Sequence, residues 1–133
     1  MLKIDRFELY VPDREAAATW YTKWLGFERI PEHADWAATG MLMLTCDGGR
    51  TMLQLTTGEP TGIREPKGWR RLALRADIGD FISFLQRFRD SGQEVDGPIN
   101  LRKAWALYFT DPWGNQLELT TYDYHAVAQI LGS

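Results

Sequence analysis

The sequence predicts an α+β fold of two βαβββ modules. The word LQLTT at residues 53–57 returns as LELTT at 117–121, a shift of 64. Arg6 and Arg71, each opening an alternating strand, align at a shift of 65. Between these landmarks both halves run in one order: a strand, an amphipathic helix, then three more strands. Each half is about 55 residues and would bury too little apolar surface to be comfortable alone, so the two must pack together.

In the first half RFELYV (6–11) alternates as a strand, and Pro12-Asp13 stops it while offering an N-cap. Ala17, Trp20, Tyr21 and Trp24 then fall on one helical face, which places both tryptophans in the core, and Gly26 ends the helix. Strands are expected over 27–31, 36–45 and 51–57, with Asp47-Gly48-Gly49-Arg50 turning between the last two. The stretch GEPTGIREPKG (58–68) holds two Pro and three Gly and reads as a connector.

In the second half RRLALRA (70–76) is the opening strand, and Ile78, Phe81, Ile82, Leu85 and Phe88 recur at helical spacing until Gly92. Strands follow near 93–98, 103–110 and 115–121. Asp111-Pro112-Trp113-Gly114-Asn115 turns into the last of them. Residues 1–133 are therefore expected to be a single domain: module 1 over 1–57, the connector 58–68, module 2 over 69–121, and a short tail, 122–133, that can form a helix.

At 133 residues, 44% apolar and 25% charged, with six Trp, five Tyr and six Phe, the chain has the composition of an ordinary globular domain and not of a disordered one. Fifteen basic and eighteen acidic residues leave a net charge of −3, and no basic run exists to neutralise a phosphate backbone, so nucleic acid is excluded as a partner. The single Cys46 forms no internal disulfide, and no apolar run resembles a signal peptide or a membrane span. A cytoplasmic protein without a membrane partner is expected. Cys46, ahead of a turn, reads as a packing residue rather than a nucleophile. His33 and His125, the only histidines, read as surface residues, which restricts imidazole catalysis and any histidine-built metal site.

Side chains alternate along a strand, so each strand divides into two faces. Phe7, Leu9 and Val11 oppose Arg6, Glu8 and Tyr10; Leu72, Leu74 and Ala76 oppose Arg71, Ala73 and Arg75. In the repeated words Leu53 and Leu55 oppose Met52, Gln54 and Thr56, and Leu117 and Leu119 oppose Gln116, Glu118 and Thr120. Polar faces of this kind either meet bulk water or line a wet cleft holding Arg6, Glu8, Gln54, Arg71 and Glu118.

The stretches IDRFELYVPD (4–13), WYTKWLGFE (20–28) and YFTDPWGNQLEL (108–119) resemble the vicinal oxygen chelate superfamily, which includes glyoxalase I, extradiol dioxygenases, fosfomycin-modifying enzymes and bleomycin-binding resistance proteins. The resemblance covers essentially the whole chain. It implies the glyoxalase-like fold, in which the two βαβββ modules form curved mixed sheets around a cleft, and a homodimer. It also implies a metal held by one residue from the first and one from the last strand of each module, positions that fall here on Arg6, Arg71, Gln54 and Glu118. A guanidinium offers only N–H groups, so Arg cannot ligate a metal. No metal and no other cofactor is expected.

Two guanidiniums beside one carboxylate either fill the cleft as a structural ion triad or leave excess positive charge for a carboxylate, phosphate or enolate. The first functional reading is a metal-independent enzyme of lyase or isomerase type on a small carbonyl, enol or carboxylate compound. In it Arg6 and Arg71 hold the oxyanion and Glu118 moves the proton. Glu8, Gln54, Tyr108, Trp36 and Trp105 are the substrate-binding candidates. The alternative is a non-catalytic protein that binds or sequesters a small molecule, as bleomycin-resistance proteins do.

Overall fold

A computed structural model describes residues 1–31, 33, 35, 40–58 and 70–132. The chain divides into two compact units, Met1–Arg64 and Glu65–Ser133, each carrying one four-stranded mixed sheet.

The first unit contains β1 (Arg6–Val11), α1 (Arg14–Leu25), β2 (Glu28–Arg29), β3 (Met41–Thr45) and β4 (Met52–Thr57). Asp13 caps α1 as expected, accepting the backbone N–H groups of Glu15 and Ala16 at 3.0 and 3.1 Å. Gly26 closes it at φ +71°, a left-handed conformation that costs glycine nothing, and returns its N–H to Thr22 O at 3.1 Å. The buried face differs from the expected one. Ala17, Ala18 and Tyr21 are buried, whereas Trp20 and Trp24 are half-buried at the margins. Two small alanines let the helix approach its sheet closely, and the bulky indoles are left to its sides.

The sheet runs β1-β4-β3-β2, with β1 parallel to β4 and the other pairs antiparallel. β2 is only two residues long, against an expected five, and the expected strand 36–45 begins at Met41, its residues 36–39 lying outside the described residues. The connector, apart from Gly58, also lies outside them.

The second unit repeats the plan: β5 (Arg71–Arg75), α2 (Ile78–Asp90), β6 (Asp96–Asn100), β7 (Trp105–Thr110), β8 (Gln116–Thr121), and then α3 (Tyr124–Gly132), in the sheet order β5-β8-β7-β6. The repeat reaches the pairing itself. Arg6 pairs with Met52 and Glu8 with Gln54, as Arg71 pairs with Gln116 and Ala73 with Glu118.

α2 buries Phe81, Phe84, Leu85 and Phe88. Phe84 escaped the spacing argument, yet its ring lies 4.7 Å from both Phe88 and Phe109, at the centre of the module's aromatic core. Burying each such side chain contributes about 1.5–3 kcal/mol. β6 starts at Asp96 rather than 93 and continues past Pro98. As the sheet's outermost strand it tolerates a residue without an N–H.

The two turns between the last hairpin strands are built alike. Asp47 Oδ1 accepts the N–H of Thr51 at 2.9 Å, and Asp111 Oδ1 accepts the N–H of Asn115 at 2.9 Å, four residues on in each case. Asp111 is buried and also accepts from Trp113 N and Asn115 Nδ2. Among the described residues no helix is long and apolar enough to cross a membrane.

Candidate functional site

On the polar face of the first sheet, Gln54 links a cation to an anion. Its Oε1 accepts from Arg6 Nε at 2.6 Å, and its Nε2 donates to Glu8 Oε2 at 2.7 Å. The same Glu8 oxygen accepts from Thr56 Oγ1 at 2.8 Å. Gln54 is only 5% exposed, so both ends of its amide are committed inside the module. Arg6 Nη1 pairs with Asp5 Oδ2 at 2.6 Å. Asp5, one residue ahead of the strand, was not among the sequence candidates, since nothing in an alternation pattern marks a residue outside it.

The second sheet places its groups differently. Glu118 faces Ala73 and Tyr108 in the register, and Thr120 Oγ1 donates to its Oε2. Thr56 and Thr120, equivalent by the repeat, thus hold the carboxylate of their module, Glu8 across the strands and Glu118 along one strand. The repeated TT was the signal for them.

Arg71 is exposed, lies over the Tyr108 ring at 4.4 Å and donates to Gln116 Oε1 at 3.3 Å. Among the described residues it forms no ion pair. Of the two arrangements open to Arg71, an ion triad with Glu118 or a guanidinium left for a ligand, the described residues show no Arg71–Glu118 ion pair: the guanidinium takes the face of a neighbouring ring and a neutral amide instead.

A pocket of about 190 Å³ opens at this end of the second sheet, lined by Arg71, Tyr108 and Gln116 together with Glu94 and Asp96. A strand was expected over 93–98, but Glu94 precedes β6 and Asp96 opens it, just ahead of a register shift that an alternation pattern does not mark.

Of the aromatic candidates, Tyr108 shares the face of Glu118. Trp105 lies on the other face, because positions 105, 107 and 109 alternate with 106, 108 and 110. Its indole N–H donates to Tyr124 O at 3.0 Å, and its ring stacks on that of Tyr124 at 5.6 Å. Trp36 and Trp69 lie outside the described residues.

Cys46 is exposed rather than packed. Although the residue as a whole is exposed, neighbouring protein atoms desolvate its thiol, and this, with Asp47 beside it, raises the thiol pKa, which works against a nucleophilic role. His125 is exposed and His33 half-buried.

The residues at the four expected ligand positions do not fit a metal. Arg6 and Arg71 carry no lone pair to donate, Gln54 Oε1 is engaged by Arg6, and Glu118 is left as the one good donor. Among the described residues no group of three or more His, Cys, Asp or Glu is gathered that could hold an ion.

The two βαβββ modules of matching register have counterparts among known proteins. A sequence model of the Glyoxalase/Bleomycin resistance protein/Dioxygenase superfamily matches residues 3–119, and the chain belongs to that superfamily. Among solved structures it is similar to TnmS3, an antibiotic binding protein from Streptomyces sp. CB03234, at 30% identity and a TM-score of 0.73 over 92% of this chain and 98% of that one. A lactoylglutathione lyase from Agrobacterium tumefaciens shares the fold at 22% identity and a TM-score of 0.67, covering 90% and 92% of the two chains. A glyoxalase/dioxygenase from Nostoc punctiforme does so at 20% identity and 0.71, covering 90% of each. No curated protein matches.

Proposed function

We propose that this chain is a metal-independent small-molecule binding protein whose ligand presents an oxyanion to Arg71. One observation carries the reading: a guanidinium held over Tyr108 and hydrogen-bonded to Gln116, with no ion-pair partner among the described residues, lining a pocket. A cation fixed in place by a ring and an amide is preorganised for a carboxylate, phosphate or enolate, because its geometry needs no rearrangement on binding. Arg6, by contrast, already has Asp5 as its counter-ion, and Gln54 serves to position Arg6 and Glu8. The likeness at 30% identity to an antibiotic binding protein supports a binding role for this chain, with an antibiotic-like small molecule as the class of ligand.

A second reading rests on Glu118 and Tyr108 being register partners beside Arg71. Such a carboxylate can carry a proton while the arginine stabilises an enolate, which is lyase or isomerase chemistry. In either reading we count residues 1–133 as one glyoxalase-like domain, acting as a cytoplasmic homodimer.

The test is titration with anionic and cationic aromatic compounds, followed by tryptophan fluorescence. The anionic set should bind, and Arg71→Ala should weaken it by about tenfold or more. Tight binding of the cationic set, unchanged in Arg71→Ala, overturns the proposal. Turnover of a small carbonyl compound that disappears in Glu118→Gln selects the enzymatic reading.

A further inference from the structure

We propose that the pocket at the Arg71 end of the second sheet is a subsite for a zwitterionic group, an ammonium held by Glu94 and Asp96 and a carboxylate held by Arg71 on the same small skeleton. This rests on the reading of the chain as a small-molecule binder and adds the class of ligand.

The pocket contains opposite charges that do not neutralise each other. Asp96 is the register partner of Tyr108, and the Arg71 guanidinium lies over that same ring at 4.4 Å. Even so, among the described residues neither Asp96 nor Glu94 forms an ion pair with Arg71, and their carboxylates accept no hydrogen bond. The cause lies in how the cation is held. Stacking on Tyr108 and the bond to Gln116 keep the guanidinium over the sheet, while Asp96 opens the outer strand, where the pairing shifts just after it, and Glu94 lies two residues ahead of that strand.

An anion entering alone would meet Arg71 but also two like charges. A cation entering alone would meet the carboxylates but also Arg71. A molecule carrying both charges satisfies both sides at once, so the arrangement selects by repulsion as well as attraction. At about 190 Å³ the space is below the roughly 300–1,000 Å³ of drug-sized ligand sites, which suits an amino-acid-sized molecule or one substituent of a larger one.

Calorimetric titration of the full chain with phenylalanine, 3-phenylpropanoate and 2-phenylethylamine tests this, since the three share a skeleton and differ in charge. Phenylalanine should bind about tenfold tighter than either relative. In Glu94→Gln/Asp96→Asn that preference over 3-phenylpropanoate should vanish, and the two single variants should each lose part of it. All these substitutions are at exposed positions, and circular dichroism checks that the fold is kept. Equal or tighter binding of 3-phenylpropanoate, a preference that survives in the double variant, or no binding of any of the three overturns the subsite. If 3-phenylpropanoate binds as tightly as phenylalanine and Arg71→Ala abolishes both, the subsite fails while the broader binding role stands.

Discussion

Gln54 donates through Nε2 to Glu8 Oε2 at 2.7 Å across the parallel pair β1–β4, whereas Glu118, its equivalent in the repeat, stands opposite Ala73. The amide-for-carboxylate change between LQLTT and LELTT follows from the neighbour. Where the adjoining strand supplies the acid, the repeated word supplies its donor. Where the adjoining strand supplies alanine, the word carries the acid itself. In both modules the following threonine hydroxyl donates to that acid.

Gln54→Glu would set two carboxylates against each other on a largely buried position and discard a donor. A loss of about 1–3 kcal/mol is expected at neutral pH. Protonating either carboxylate restores a donor between the two side chains, while Arg6 keeps its acceptor, so stability should recover as pH falls. Denaturant melts at pH 7 and pH 5 check this, and a variant as stable as the parent at pH 7 would contradict it.

The paired turn aspartates should differ in weight. Asp111→Ala takes the carboxylate acceptor from the buried N–H of Asn115 and the part-buried N–H of Trp113 and should cost about 2–4 kcal/mol. Asp47→Ala, at an exposed turn, should cost less, and chemical denaturation of the two variants side by side gives the ranking.

Asp47 also makes the fold sensitive to acid. The backbone N–H of Thr51, with the Thr45 hydroxyl, holds its carboxyl below the usual value despite some opposing desolvation. A depressed folded pKa means stabilisation that is complete above about pH 4 and is lost as pH falls through the folded value. The drop in melting temperature on acidification below pH 4 should therefore be smaller in Asp47→Asn than in the parent.

Gly97 sits at φ +121°, and a Cβ there would lie 2.6 Å from the backbone oxygen of Ala106 on the adjacent strand. Neither fault can be relieved by turning a side chain. Gly97→Ala should lose about 2 kcal/mol or more and loosen β6, read by faster amide exchange of Ile99 and Asn100.

Exposure alone suggests that Cys46 should react readily, but its thiol pKa is raised by burial and by Asp47. Labelling by a thiol reagent at pH 7.5 should be slower than that of an unfolded control, and the two rates should converge at high pH.

Much of the fold can be read from the residues in order. The repeat, the alternation of RFELYV and LALR, the Asp13 cap, the Gly26 stop and the DPWGN turn all express preferences confined to a few neighbouring residues. The reading fails where a residue's surroundings come from elsewhere in the chain. Trp20 and Trp24 have the right helical spacing, yet Ala17 and Ala18 take the closest contact. Trp105 is aromatic and near the site in sequence, yet alternation turns it toward α3. Phe84 falls between the positions chosen by spacing and lies at the centre of the core.

By itself, then, the sequence determined that two modules of one design would form, and which positions on each would be polar. Only the tertiary structure decided how those positions are used. Gln54 joins Arg6 to Glu8, and Tyr108 holds the Arg71 guanidinium over its ring, without an ion pair among the described residues. The reason is one of range. Backbone preference and hydrophobic period act over one or two turns of chain, whereas a charge is paired or left open by side chains that strand pairing brings together from 37 to 48 residues away.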